Sequence, residues 1–83
     1  MLVVVYTLPN CVQCEATKRM MDRLKIRYEV LNLEQHPDMV EQFSELNLMT
    51  APVVVTDTKR WSGFRLEKIK SLAQFLTSEA QDD

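Results

Sequence analysis

Two cysteines, Cys11 and Cys14, stand with two residues between them in the stretch YTLPNCVQCEATKR, and the 83-residue chain has no others. A pair this close closes only a tiny loop, so stapling distant parts of a fold is a poor use for it. The spacing suits a reversible two-electron cycle instead. One thiolate attacks a disulfide, a mixed disulfide forms, and a second sulfur within reach resolves it. Two other uses of the pair stay open at this point. A zinc site wants four ligands, usually in two close pairs, and this chain offers one pair. Its single histidine, His36, is accounted for by a helix start without a ligand role. An inert structural pair of cysteines is the remaining alternative.

The elements around the pair decide how it behaves. Leu2 to Tyr6 is a valine-rich apolar run and reads as a buried strand. Pro9 and Asn10 break it, with Asn10 as the expected N-cap of a helix over Cys11 to Lys25. Along that segment Cys14, Thr17, Met21 and Leu24 recur at helical spacing, flanked by Ala16 and Met20. Tyr28 to Leu33 reads as a second strand. His36-Pro37-Asp38 opens a second helix, with proline at its first position and an acid at the positive end of its dipole. Met39, Val40, Phe43 and Leu46 supply its apolar face, and Asn47 its left-handed stop. Pro52 to Thr56 is a third strand, Lys59 to Ser62 a short fourth, and Leu66, Ile69, Leu72, Ala73 and Leu76 mark a last amphipathic helix. Residues 1–77 form one domain in this scheme, and 78–83 a fraying tail.

The order β-α-β-α-β-β-α makes the first two strands parallel through a right-handed crossover, and the tight turn at Asp57-Thr58 makes the last two antiparallel. Cys11 falls where the first strand's loop enters the first helix. Unpaired N–H groups and the helix dipole favour a thiolate there, and such thiols titrate at about 3.5–7.5 against about 8.5 for a free cysteine. Cys14 lies one turn further in, on the less polar stripe, where early deprotonation by solvent is blocked. A CxxC at a strand-to-helix junction is a much stronger redox signal than a CxxC alone.

Two further motifs stand near the ends of strands. In TAPVVV, Pro52 opens a strand, a place where its missing N–H breaks no ladder bond, and a cis Ala51–Pro52 bond is one option there. WSGF holds the only tryptophan and the only glycine, Trp61 and Gly63. Gly63 takes a positive φ at no cost, which suits a tight turn into the last helix. Trp61 and Phe64 bracket two small residues, poor spacing for a core, so the pair is expected at the surface.

The totals narrow the class. Apolar residues make up 46% of the chain, enough for one modest core without a second domain. Two cysteines are too few for a secreted disulfide scaffold, and MLVVVYTLPN lacks the basic start of a signal peptide. No stretch has the length of a membrane span. A soluble cytoplasmic domain follows as the expectation. The net charge of −2 covers an uneven distribution, because residues 28–58 carry Glu29, Glu34, Asp38, Glu41, Glu45 and Asp57 and no Lys or Arg. The basic residues flank that acidic middle, and the overall sign makes nucleic acid a poor partner.

With YT, CVQC-ATKR, TAPVVV and WSGFR-EKI in place, the chain resembles the thioredoxin superfamily, and within it the NrdH-redoxins, small glutaredoxin-like electron donors. The resemblance spans nearly the whole chain. WSGF stands where glutathione-using glutaredoxins carry a Gly-Gly turn followed by acids. It implies a four-stranded mixed sheet in the order 2-1-3-4, with the third strand antiparallel to the first and three flanking helices. It implies Cys11 as attacking thiol and Cys14 as resolving thiol, with Val12 and Gln13 tuning potential and partner contact. Ala51 and Pro52 match the cis-proline loop beside the disulfide, and Trp61, Ser62, Gly63 and Phe64 the family's signature loop. Leu66 departs from the proline that commonly follows WSGFR, a change expected to be structural and small.

What the resemblance implies for function is a cytoplasmic, monomeric electron carrier with no metal and no bound cofactor. Its partners would be the class Ib ribonucleotide reductase, whose disulfide it reduces, and thioredoxin reductase, which recharges it with NADPH. A glutathione-dependent glutaredoxin is the alternative, and an Spx-type regulator that binds RNA polymerase or an iron–sulfur or zinc module are more distant ones. In this fold the first and last helices share a sheet face. Lys18, Arg19, Arg23, Lys68 and Lys70 would then form a basic side able to steer an acidic reductase tail, an effect that salt screens.

Overall fold

The computed structural model describes residues 2–81, with side chains through Thr77. Strands β1 (Val4–Thr7), β2 (Glu29–Asn32), β3 (Val53–Val55) and β4 (Arg60–Ser62) form one sheet in the order β2-β1-β3-β4. β1 and β2 are parallel, while β3 runs antiparallel to both β1 and β4. Helices α1 (Val12–Arg23), α2 (Pro37–Glu45) and α3 (Leu66–Gln81) cover it. The fraying expected at 78–83 falls on positions whose side chains, or at 82–83 whose backbone, lie outside the described residues. No helix among the described residues is long and apolar enough to cross a membrane.

Alternation along the central strands splits the core into two layers. Val3 and Val5 of the first strand region, Val54 of β3 and Trp61 of β4 meet Met21 and Ile26 near α1 and Ile69 and Leu72 of α3. On the other face Val53 packs with Leu33 and Phe43, backed by Tyr6, Met39, Leu48 and Val55. The ring of Tyr6 meets Phe43 edge-on at 5.0 Å and His36 at 6.4 Å. His36 thus precedes Pro37 at the start of α2 with its ring against an aromatic neighbour.

One placement corrects the expectation from sequence. Trp61 is 3% exposed, not a surface residue. It pairs with Val54 across β3 and β4, and that register points it to the layer under α1 and α3. Arg60, one residue earlier on β4, takes the exposed side. Strand parity overrides the loop-like spacing of WSGF.

The helix ends explain how short segments turn the chain back. After α2, Asn47 has φ 61°, as expected. Leu48 N–H donates to Phe43 O at 2.8 Å, and Asn47 N–H to Ser44 O at 3.1 Å. This is the double hydrogen bond of a Schellman stop. α1 ends the same way at Lys25 (φ 61°), where nothing in a lysine signals a left-handed residue. There Ile26 N–H donates to Met21 O at 2.9 Å and Lys25 N–H to Asp22 O at 3.1 Å. The second strand stops one residue early, because Asn32 Oδ1 accepts from Glu34 N–H at 2.8 Å and starts a 3₁₀ turn at Leu33–Gln35.

Candidate active site

β1 ends at Thr7, and Leu8 to Asn10 lead into α1. The N-cap is Cys11, not Asn10. Asn10 is spent on the turn itself with φ 58°, whereas Cys11 is extended at φ −108°, ψ 108°. The Cys11 sulfur accepts from Cys14 N–H at 3.0 Å and so fills the capping position normally held by an oxygen. The Cys11 sulfur is therefore bound to a helix-end donor, the kind of interaction that stabilises negative charge.

Cys11 and Cys14 are joined as a disulfide with their Cα atoms 5.2 Å apart. Their surroundings differ sharply. Cys14 is 1% exposed, Cys11 is half-buried, and Val12 between them protrudes at 84% exposure. An incoming disulfide can reach Cys11 and cannot reach Cys14.

Three loops close around the pair. Ala51–Pro52 is a cis peptide bond, and the Ala51 carbonyl oxygen lies 3.7 Å from Cys11 Sγ. The sulfur of a disulfide has no proton to donate, so this is a contact that becomes a hydrogen bond only for the reduced thiol. Gly63 N–H donates to Pro52 O at 2.7 Å and to Thr50 O at 3.1 Å, which ties the WSGF turn to the proline loop. Phe64 N–H donates to Gln13 Oε1 at 2.9 Å, which ties the same turn to the CxxC. Gly63 has φ +80°, and a Cβ there would sit 3.1 Å from Gln13 Oε1. Gln13 thus has an internal contact, while Val12 faces outward. Of the WSGF residues, Trp61 and Gly63 are buried and Ser62 and Phe64 remain partly exposed.

Next to Ala51, whose carbonyl faces Cys11, opens a mainly apolar hollow of about 290 Å³, floored by Phe43, Ala51 and Val53 and rimmed by Leu8, Val40 and Met49. Helical spacing alone places Val40 on the buried face of α2, and it marks neither Leu8 nor Met49. All three stay exposed, Met49 at 75%. The available signal was the apolar surplus in LNLMTAP, more than one short helix and one sheet face can cover. Among the described residues, no three of His, Cys, Asp and Glu gather as metal ligands would.

Away from the disulfide, Tyr28 donates its hydroxyl to Asp22 Oδ1 at 2.9 Å and approaches Lys18 O at 3.4 Å, fastening the entry of β2 to α1. Its pKa is pushed up to about 12 by burial, then by the hydrogen bond and charge of Asp22, and by the charge of Glu15.

A four-stranded mixed sheet with a disulfide at the β1–α1 junction and a cis-proline beside it defines a thioredoxin-fold redoxin, and the family model described as Glutaredoxin matches residues 3–61. The glutaredoxin-like protein NrdH of Salmonella typhimurium is 38% identical over 72 residues, 87% of this chain and 89% of that protein. Its counterpart from Lactococcus lactis is 33% identical, covering 87% of this chain and all of the relative. The structure of the NrdH-redoxin from Escherichia coli, described for its thioredoxin-like activity profile, superposes with a TM-score of 0.82 at 36% identity. That match covers 87% of this chain and 95% of the other. The chain belongs to the glutaredoxin family, as a glutaredoxin-like redoxin of the NrdH type.

Proposed function

We propose that this redoxin is the cytoplasmic electron donor to a class Ib ribonucleotide reductase and is recharged by thioredoxin reductase with NADPH. The observation that carries this reading is the asymmetry of the pair: a reachable, helix-capping Cys11 beside a sealed Cys14. In the working direction the Cys11 thiolate attacks one sulfur of the partner disulfide. The partner S–S bond breaks, and the departing partner thiolate takes up a proton. Cys14 then loses its proton and attacks Cys11 Sγ, which releases the second partner thiol. The partner gains two electrons and two protons as its dithiol, and Cys11–Cys14 becomes the disulfide.

Recharging reverses these steps with the dithiol of the partner reductase. The two sulfurs carry the electrons, no bound cofactor is needed, and NADPH enters only through the reductase. Ala51 O and Val12 are the contacts assigned to a partner chain lying over Cys11, and the hollow rimmed by Leu8 and Met49 is assigned to an apolar partner side chain next to the disulfide.

The test is NADPH consumption with a model disulfide as acceptor, in one arm with thioredoxin reductase and in the other with glutathione and glutathione reductase. Turnover in the first arm alone is the expected result. Turnover with glutathione alone would make the protein a glutathione-dependent glutaredoxin and overturn the proposal.

A further inference from the structure

Beside the WSGF turn, on the outer side of α1, lies a groove of about 270 Å³ formed by Ala16, Arg19, Met20, Arg23 and Phe64. Its chemistry is unlike that of the apolar hollow. Ala16, Met20 and Phe64 give it a nonpolar floor, and Arg19 and Arg23, one turn apart, are both exposed. The acids near them are already engaged. Glu15 pairs with Lys18 at 2.7 Å, the one ion pair among the described residues. Asp22 accepts the hydroxyl of Tyr28. Two guanidinium groups therefore face solvent without carboxylate partners, over an apolar strip. Planar guanidinium groups match carboxylates better than lysines do.

We infer that this groove receives an acidic segment of the protein whose disulfide is exchanged at Cys11. The inference rests on the electron-donor reading and adds to it where the partner chain runs. The groove lies next to the active site, because Phe64, which lines it, donates its N–H to Gln13 of the CxxC. By helical rise, Arg19 and Arg23 lie roughly 12 Å and 18 Å along the axis from Cys11. An extended chain covers that distance in about four to six residues. The partner segment is thus one with carboxylates about four to six positions from its cysteines and an apolar residue between them.

The experiment uses the full chain in its reduced form and three synthetic disulfide-closed peptides. One carries Glu at four and six positions before its cysteines, one carries them after, and the third has Gln at all those sites. At low ionic strength one of the acidic peptides is reduced about five- to tenfold faster than the neutral one, as expected for two exposed ion pairs plus steering. Salt at 0.5 M removes the preference, the double variant R19Q/R23Q loses it, and R19K/R23K retains part of it. All variants reduce the neutral peptide at the unaltered rate, which reports the dithiol chemistry separately from the groove. Equal rates for acidic and neutral peptides, or a preference that survives R19Q/R23Q, would overturn the inference while leaving the electron-donor reading to its own test.

Discussion

Cys14 sits at 1% exposure on α1, one turn from a Cys11 whose sulfur accepts its N–H. In the proposed cycle, replacing Cys14 with serine leaves the attacking thiol in place and removes the resolving one. Cys14→Ser therefore accumulates a stable mixed disulfide through Cys11 with a substrate peptide, seen as one peptide mass added to the intact protein. Cys11→Ser forms none. One turn beyond, Thr17 is 0% exposed, and its hydroxyl has no hydrogen-bond partner. An unpaired buried hydroxyl costs desolvation that a methyl group of the same shape avoids. Thr17→Val is expected to stabilise the oxidised protein by about 1 kcal/mol, a rise of roughly 4–8 °C in Tm. A fall in Tm would show that the hydroxyl is satisfied after all.

Elements in this fold are held to one another by few, specific ties. The WSGF turn is one, since Gly63 bonds the proline loop while Phe64 bonds the CxxC. Gly63→Ala forces a side chain into φ +80° and against Gln13 Oε1, and is expected to cost about 1–3 kcal/mol in urea unfolding. An unmoved midpoint would mean that the turn relaxes freely. Tyr28 is a second tie, between β2 and α1. Its pKa rises from 10 to about 12 on folding, so the native state holds the proton longer. The stability that Tyr28 supplies is complete below pH 10 and is lost as pH climbs through 12. Tyr28→Phe lacks that tie at every pH. The difference in urea midpoint between wild type and variant should shrink across this window, and a constant difference would refute the linkage.

At the scale of the whole molecule, one layered core carries a site made of three separate loops. Ile69 of α3 is fully buried among Val5, Val54, Trp61 and Met21, where sheet and helices meet. Truncating it to alanine opens a cavity and is expected to cost about 2–5 kcal/mol. Against a total of about 5–15 kcal/mol for a domain, that is a large share. Thermal melting of Ile69→Ala should show it plainly. A shift of only a degree or two would mean that α3 is weakly docked and that the WSGF turn is held from the other side.

The local features were legible in the sequence because they depend on neighbours along the chain. The valine runs, the proline at the start of α2, the Asn47 stop and the placing of a CxxC at a helix start all follow from side-chain type and short spacing. The strand order came from family resemblance rather than from periodicity. Three matters were decided only by tertiary structure. Cys11 took the cap from Asn10, because the turn needed a left-handed residue one position earlier. Trp61 went inward, because pairing of β4 with β3 fixed its face. Gln13, Gly63 and Ala51 converged on one disulfide, because loops far apart in sequence are brought together only when the sheet closes. Hydrogen bonds such as that from Phe64 to Gln13 span 51 positions, and no local pattern encodes them.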